Sequence, residues 1–153
     1  RDARFVKMTY EDWDLVIKTN LYSVFLCTKA VIDDMLNAGW GRIINISSVN
    51  GEKGQFGQVN YASAKSAMYG FTKSLAQEVA SKGITVNCIS PGYIATEMVM
   101  AVREDIRNKI IESIPLKRLG APEEVAAVVA FLCSEEAAYF TGANISMNGG
   151  LHM

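Results

Sequence analysis

Two apolar runs, Arg42-Ile43-Ile44-Asn45-Ile46-Ser47-Ser48 and Ile84-Thr85-Val86-Asn87-Cys88-Ile89-Ser90, constrain the fold of this chain more than any other feature. The first is built on Ile43, Ile44 and Ile46, the second on Ile84, Val86, Cys88 and Ile89. The first ends in Ser47-Ser48 and the second runs into Pro91-Gly92, the pattern of strands buried on both faces and closed by turns. Between them, residues 59–81 read as a long helix stopped by Lys82-Gly83. A helix between two such strands makes a βαβ unit, and its strands are parallel because the helix carries the chain back across the sheet. A third short run, 143–147, precedes a turn at Asn148-Gly149-Gly150. The expected class is α/β, with these as the last three strands of a doubly wound parallel sheet.

The remaining segments fit that plan. Residues 10–37 read as one amphipathic helix, with Thr9 as N-cap, Glu11-Asp12 in its first turn and Gly39 and Gly41 ending it. Residues 50–57 read as a loop. Residues 97–113 are helical in pattern but rich in Met and charge, and their weak apolar stripe suggests a mobile lid. Pro122 suits a first helical turn, with Glu123-Glu124 favourable beside it.

At 153 residues, half hydrophobic and a fifth charged, the chain is one domain of globular composition. A net charge of −1 without a basic cluster argues against nucleic acid or an anionic membrane as partner. The longest uninterrupted apolar run, 125–133, is too short to span a bilayer, and no signal peptide is visible. Cys27, Cys88 and Cys133 lie apart in apolar stretches and read as reduced core thiols of a cytoplasmic protein. The only histidine, His152, is one residue from the end, which disfavours a His-based triad and His-rich metal sites; no metal is expected. Acid–base chemistry must come from other groups.

Those groups are Ser48, at the end of the first strand, and Tyr61 and Lys65, which follow it by 13 and 17 residues. Spacing i,i+4 puts the phenol and the ammonium on one helix face. A phenol ionises near 10, and an ammonium one turn away stabilises its phenolate. A loop hydroxyl beside the pair can hold a carbonyl oxygen and steady its developing charge. Taken singly, each residue has a plainer explanation: a turn serine, a half-buried tyrosine, a snorkelling lysine. Tyr69 and Lys73 repeat the spacing. They lie ~12 Å further along the helix, away from the strand ends, and read as a solvated or packing pair.

Ser48, Tyr61-x-x-x-Lys65, the Pro91-Gly92 turn and Asn20, 28 residues before Ser48, occur in an order that resembles the short-chain dehydrogenase/reductase family. The resemblance spans the whole chain. It implies the C-terminal catalytic part of a Rossmann-type reductase domain, using NADP(H). The Gly-rich cofactor turn that such proteins carry near their N-terminus is not found here, and Arg1 is not an initiator Met. An unpaired sheet edge, a liability in itself, likewise suggests a piece of a longer protein. By resemblance, Ser48, Tyr61, Lys65 and Asn20 are catalytic, Asn20 through a water chain to Lys65. Tyr61, Lys65, Pro91, Gly92, Ile94 and Thr96 meet the cofactor.

The stretch 39–65 and the ending Asn148-Gly149-Gly150-Leu151-His152-Met153 are most similar to the acetoacetyl-CoA reductases of polyhydroxybutyrate synthesis within that family. The 3-oxoacyl-acyl-carrier-protein reductases are near relatives. This implies reduction of a 3-oxoacyl-CoA to the R 3-hydroxy product, with Ser48, Gln55, Phe56, Gln58 and Tyr93 lining the acyl pocket. Lys7 would meet a CoA phosphate, or is an ordinary surface lysine. Homotetramers through the two long helices are implied as well. An inactive assembly module that oligomerises without cofactor stays open as a third reading.

Overall fold

The computed structural model describes residues 1–153. Three strands, β1 (Gly41–Ile46), β2 (Ile84–Pro91) and β3 (Asn144–Met147), form a parallel sheet in the order β1-β2-β3. Gly41 is level with Ile84 and Ile46 with Ile89; Cys88 is level with Asn144 and Pro91 with Met147. The carboxyl ends of β1 and β2 therefore lie side by side. β2, the central strand, is buried along all but its last residue, Thr85, Asn87 and Ser90 included, because helices cover both faces of the sheet.

Strand alternation sorts two cores onto the two faces. Ile43, Ile84 and Val86 pack with Ile32 of α2 (Ser23–Ala38) and with Ala76 and Val79 of α4 (Val59–Val79). Ile44, Ile89 and Ile145 face the other way, onto Val128, Val129 and Leu132 of α7 (Pro122–Cys133). This is the doubly wound arrangement read from the sequence. β1 and β3 are both edge strands, and a cavity of about 380 Å³ lined by Val24, Cys27, Val31, Met35 and Ile44 opens beside β1.

The first long helix is one continuous rod with a defect. α1 (Tyr10–Ile17), capped by the Thr9 side chain accepting from the Asp12 amide, passes through a π-type turn at Lys18–Tyr22 into α2. Such one-turn widenings of a helix recur at functional sites, and Asn20 lies within this one. Length and composition alone would allow Tyr10–Ala38 to cross a membrane, with a mean hydropathy of 1.4 in its most apolar window. In the fold this helix packs on α4 and β1. Amphipathic spacing had broken the apolar letters into short runs, so counting uninterrupted residues missed it.

Three other expectations change. The 50–57 loop begins with a short helix, α3 (Val49–Lys53), because the Ser48 hydroxyl accepts from the Asn50 amide and caps it. The 97–113 helix is two, α5 (Glu97–Met100) and α6 (Glu104–Ser113). Of the three thiols only Cys88 is buried; Cys27 and Cys133 are exposed, Cys27 because the cavity beside the β1 edge is open.

Two left-handed glycines set the ends of α2 and of the α4 segment. Gly39 (φ +65°) has open space where a Cβ would stand, whereas a Cβ on Gly83 (φ +76°) would meet the Gly39 carbonyl oxygen at 2.3 Å. Both substitutions carry the left-handed penalty of about 1–3 kcal/mol, but Gly83→Ala adds a backbone clash. Denaturant unfolding is expected to show Gly83→Ala clearly the more destabilising of the two.

Candidate active site

The carboxyl ends of β1 and β2, the cap of α3 and the first turns of α4 meet at one place. Asn60 organises the approach. Fully buried, it donates to the carbonyls of Arg1 (3.1 Å) and Asp12 (3.3 Å) and accepts from the Tyr61 amide (2.8 Å), tying α1 to the start of α4. Tyr61 and Lys65 then follow on one face, with the Lys65 ammonium 5.6 Å from the Tyr61 ring centroid.

Lys65 is turned toward the sheet. Its Nζ donates to the Ile46 carbonyl at 2.8 Å, one peptide before Ser47-Ser48. Burial pushes the Lys65 pKa below its ordinary 10.5, a nearby Cys88 pulling weakly the other way. Burial also raises the Cys88 thiol to about 11, so it stays protonated. An ammonium has three donors and this one gives one to Ile46, which leaves two for a ligand.

Ser48 is half-buried in extended backbone, its hydroxyl on the α3 cap. Ser47, its neighbour, is buried and faces the helix, donating to the Lys65 carbonyl at 2.8 Å. Ser48, Tyr61 and Lys65 thus lie on adjoining elements around one strand end. Asn20 donates to the Val16 carbonyl at 3.0 Å, inside its own helix, and its π-type turn packs against α4.

The loop after β2 is held close to the last strand. The Gly92 amide donates to the Met147 carbonyl at 2.9 Å, and a Cβ on Gly92 would meet Asn148 Cα at 2.8 Å, so this approach requires glycine. Pro91 closes β2, Ile94 bridges to Gly120, and Thr96 caps α5 through the Val99 amide. Tyr93 and Ile94 line a small cavity of about 100 Å³ with Leu116 and Met147.

The expected acyl-pocket residues divide. Gln58 is engaged on both sides, accepting from Asn50 at 3.0 Å and donating to Asp2 at 2.7 Å. Gln55 accepts from Lys53 at 2.9 Å. Phe56 is 79% exposed, under the Arg4 guanidinium. Lys7 is exposed on a turn at Phe5–Lys7.

One residue was misplaced by the sequence reading. Tyr69 does not lie away from the strand ends: its hydroxyl touches Ser47 Oγ, Ser90 Oγ and the Ser48 carbonyl. Helical side chains lean back toward the helix N-terminus, which brings a long tyrosine up to the strand ends. Lys73 is exposed, so the repeated pair is not a unit. The available signal was Ser47 and Ser90, one hydroxyl at the end of each strand, opposite the same helix face.

A family model described as enoyl-(acyl carrier protein) reductase matches residues 1–152. An acetoacetyl-CoA reductase of Cupriavidus necator is 63% identical over 153 residues, covering 100% of this chain and 62% of that protein. Nodulation protein G of Azospirillum brasilense is 58% identical over 152 residues, 99% of this chain and 62% of its own length. The 3-oxoacyl-[acyl-carrier-protein] reductase FabG of Aquifex aeolicus is 50% identical over 151 residues, 99% of this chain and 61% of its own length. The chain therefore spans somewhat over three fifths of the relatives it matches.

The sign of the Lys65 effect on stability follows from burial. The folded state disfavours its charged form, so between the lowered folded value and 10.5 the unfolded chain binds more protons, and stability rises with pH in that window. A ¹³C NMR titration of the lysine side chains is expected to place Lys65 below 10.5. An unshifted value would mean that the ammonium is solvated, and a raised one that it is paired with a carboxylate.

Proposed function

The chain belongs to the short-chain dehydrogenase/reductase family, and from that we propose that it is the catalytic part of an NADPH-dependent reductase converting acetoacetyl-CoA to (R)-3-hydroxybutyryl-CoA. The observation that carries this reading is the Lys65 ammonium, bonded to Ile46 and set beside Tyr61 at the strand end that bears Ser48. High identity to acetoacetyl-CoA reductases supports the substrate.

The residues present fit the nicotinamide end of such a cofactor. Lys65 keeps two free donors for a ribose, and Pro91, Gly92, Ile94 and Thr96 follow the end of β2, where ligands of open α/β sheets bind. A pyrophosphate cradle is not among these residues, and we assign it to a preceding Gly-rich segment. When bound, NADPH supplies the hydride to the ketone carbon. Ser48 holds the ketone oxygen, Tyr61 gives it a proton, and Lys65 in its charged form steadies the phenolate until solvent returns the proton. Asn20 serves that return by holding water at the π-type turn. The balance is one ketone, one NADPH and one proton giving one alcohol and NADP⁺.

Gln55, Phe56, Gln58 and Tyr93 line the acyl side, and Lys7 takes a CoA phosphate. The protein acts in the cytoplasm on a small thioester, without nucleic acid, membrane or metal. A homotetramer is assembled through the two long helices, whose groove of about 430 Å³ between Phe25, Ile32, Phe71 and Leu75 is open. The 50% identity to a FabG favours one second reading, the carrier-protein thioester as substrate.

The test is an enzyme of the relatives' full length containing this chain, assayed with NADPH. Acetoacetyl-CoA is expected to turn over faster than acetoacetyl-carrier protein; the reverse order would support the second reading. Crotonyl-CoA, an enoyl thioester, is expected to be inert. Tyr61→Phe is expected to lose about 10²–10⁴ in kcat with NADPH affinity intact, and Lys65→Ala to weaken both. Full activity in Tyr61→Phe would remove tyrosine as the acid.

A further inference from the structure

The Tyr69 hydroxyl has no part in the reaction described above, yet it is bonded beneath it. Ser47 Oγ and Ser90 Oγ lie 3.1 Å away and the Ser48 carbonyl 3.2 Å. Ser47 donates onward to the Lys65 carbonyl at 2.8 Å, and Ser90 to Asn144 Oδ1 at 2.9 Å. Asn144 Nδ2 donates to Glu52 at 2.6 Å, and the Ser146 hydroxyl shares the same carboxylate oxygen. One hydroxyl thus joins the ends of β1 and β2 to α4, and through Asn144 to β3 and α3.

Counting protons assigns the donors. Ser48 O, Lys65 O and Asn144 Oδ1 can only accept, and Tyr69, Ser47 and Ser90 have one hydroxyl proton each. Ser48 O takes the Tyr69 proton, and Tyr69 Oη in turn accepts from Ser47, whose one proton is shared with the Lys65 carbonyl. Burial holds the Tyr69 phenol above its ordinary pKa, so the donor is retained at neutral pH. The Ser48 carbonyl also accepts from the Gly51 amide at 2.8 Å. The fold does not depend on Tyr69 to satisfy it; the second bond fixes where the peptide lies.

We propose that Tyr69 is a positioning residue: through the Ser48 carbonyl and the Ser47 hydroxyl it sets the catalytic serine in register with the α4 turn carrying Lys65. The proposal rests on the reductase reading for its effect on rate, and on the hydrogen bonds alone for its effect on the strand end. A ring without the hydroxyl keeps the packing and loses the register, so Tyr69→Phe isolates the claim. Small misplacements of catalytic groups are costly in rate.

Wild type, Tyr69→Phe, Tyr61→Phe and the exposed-residue control Lys73→Ala are compared in the full-length enzyme with acetoacetyl-CoA and NADPH. Tyr69→Phe is expected to lower kcat roughly tenfold, with KM for NADPH and the thermal midpoint near wild type. Its backbone amides over 47–51 are expected to exchange hydrogen faster, and Lys73→Ala to match wild type throughout. A Tyr69→Phe kcat within about twofold of wild type, or a loss that only tracks a lowered midpoint, overturns the proposal. An active Tyr61→Phe overturns the reductase mechanism instead. If no thioester turns over, hydrogen exchange decides: unchanged protection over 47–51 overturns the role of Tyr69, and faster exchange upholds its hold on the strand end.

Discussion

The hydrogen bond from the Lys65 ammonium to the Ile46 carbonyl, 2.8 Å long, is the contact on which the site depends. A strand end left to itself is a turn with several accessible geometries. Here residues 46–48 are held by α4 at successive positions: Ile46 by the Lys65 side chain, Ser47 by the Lys65 carbonyl, Ser48 by Tyr69. The lysine is placed at some cost, since burial disfavours its charge. A charge-assisted bond to a carbonyl offsets part of that cost and leaves two donors facing outward.

That contact is possible because of the topology. A parallel sheet returns the chain through α4, so the helix begins at the end of the sheet where β1 and β2 stop. Asn60, buried at the first turn of α4, fixes the helix start against α1 and the N-terminal residues. The helix then descends along the face made by Ile43, Ile84 and Val86. Its residues as far as Tyr69 serve the strand ends, while Ala76 and Val79 belong to the core. The polar residues of the site and the apolar residues beneath it are successive segments of the same helix face.

Much of this was legible from residue order. Two short runs rich in Ile and Val with a helical segment between them dictate parallel strands, and the positions of Ser48, Tyr61 and Lys65 follow from that frame with i,i+4 spacing. Pro122 at a helix start and glycines at helix ends are local signals that need no tertiary context. What was not legible depends on atoms distant in sequence. The π-type turn at Asn20 has no mark in composition, and α3 forms because Ser48, just past the end of β1, also caps the next five residues. Tyr69 was misjudged from axial distance along a helix, when side-chain length and lean decide where a hydroxyl arrives. Exposure of Cys27 and Cys133 could not be read from apolar neighbours, because a helix turns successive residues to different surroundings.

The central claim is that Ser48 and Tyr61 converge on one substrate oxygen while Lys65 bridges the strand end and the cofactor. A crystal structure of the full-length enzyme with NADP⁺ and acetoacetyl-CoA tests it most directly. The account predicts Ser48 Oγ and Tyr61 Oη each within ~3 Å of the ketone oxygen, with Lys65 Nζ bonded to both the Ile46 carbonyl and the ribose. A ketone oxygen held by other donors, with Tyr61 turned away and Lys65 released from Ile46, would contradict it.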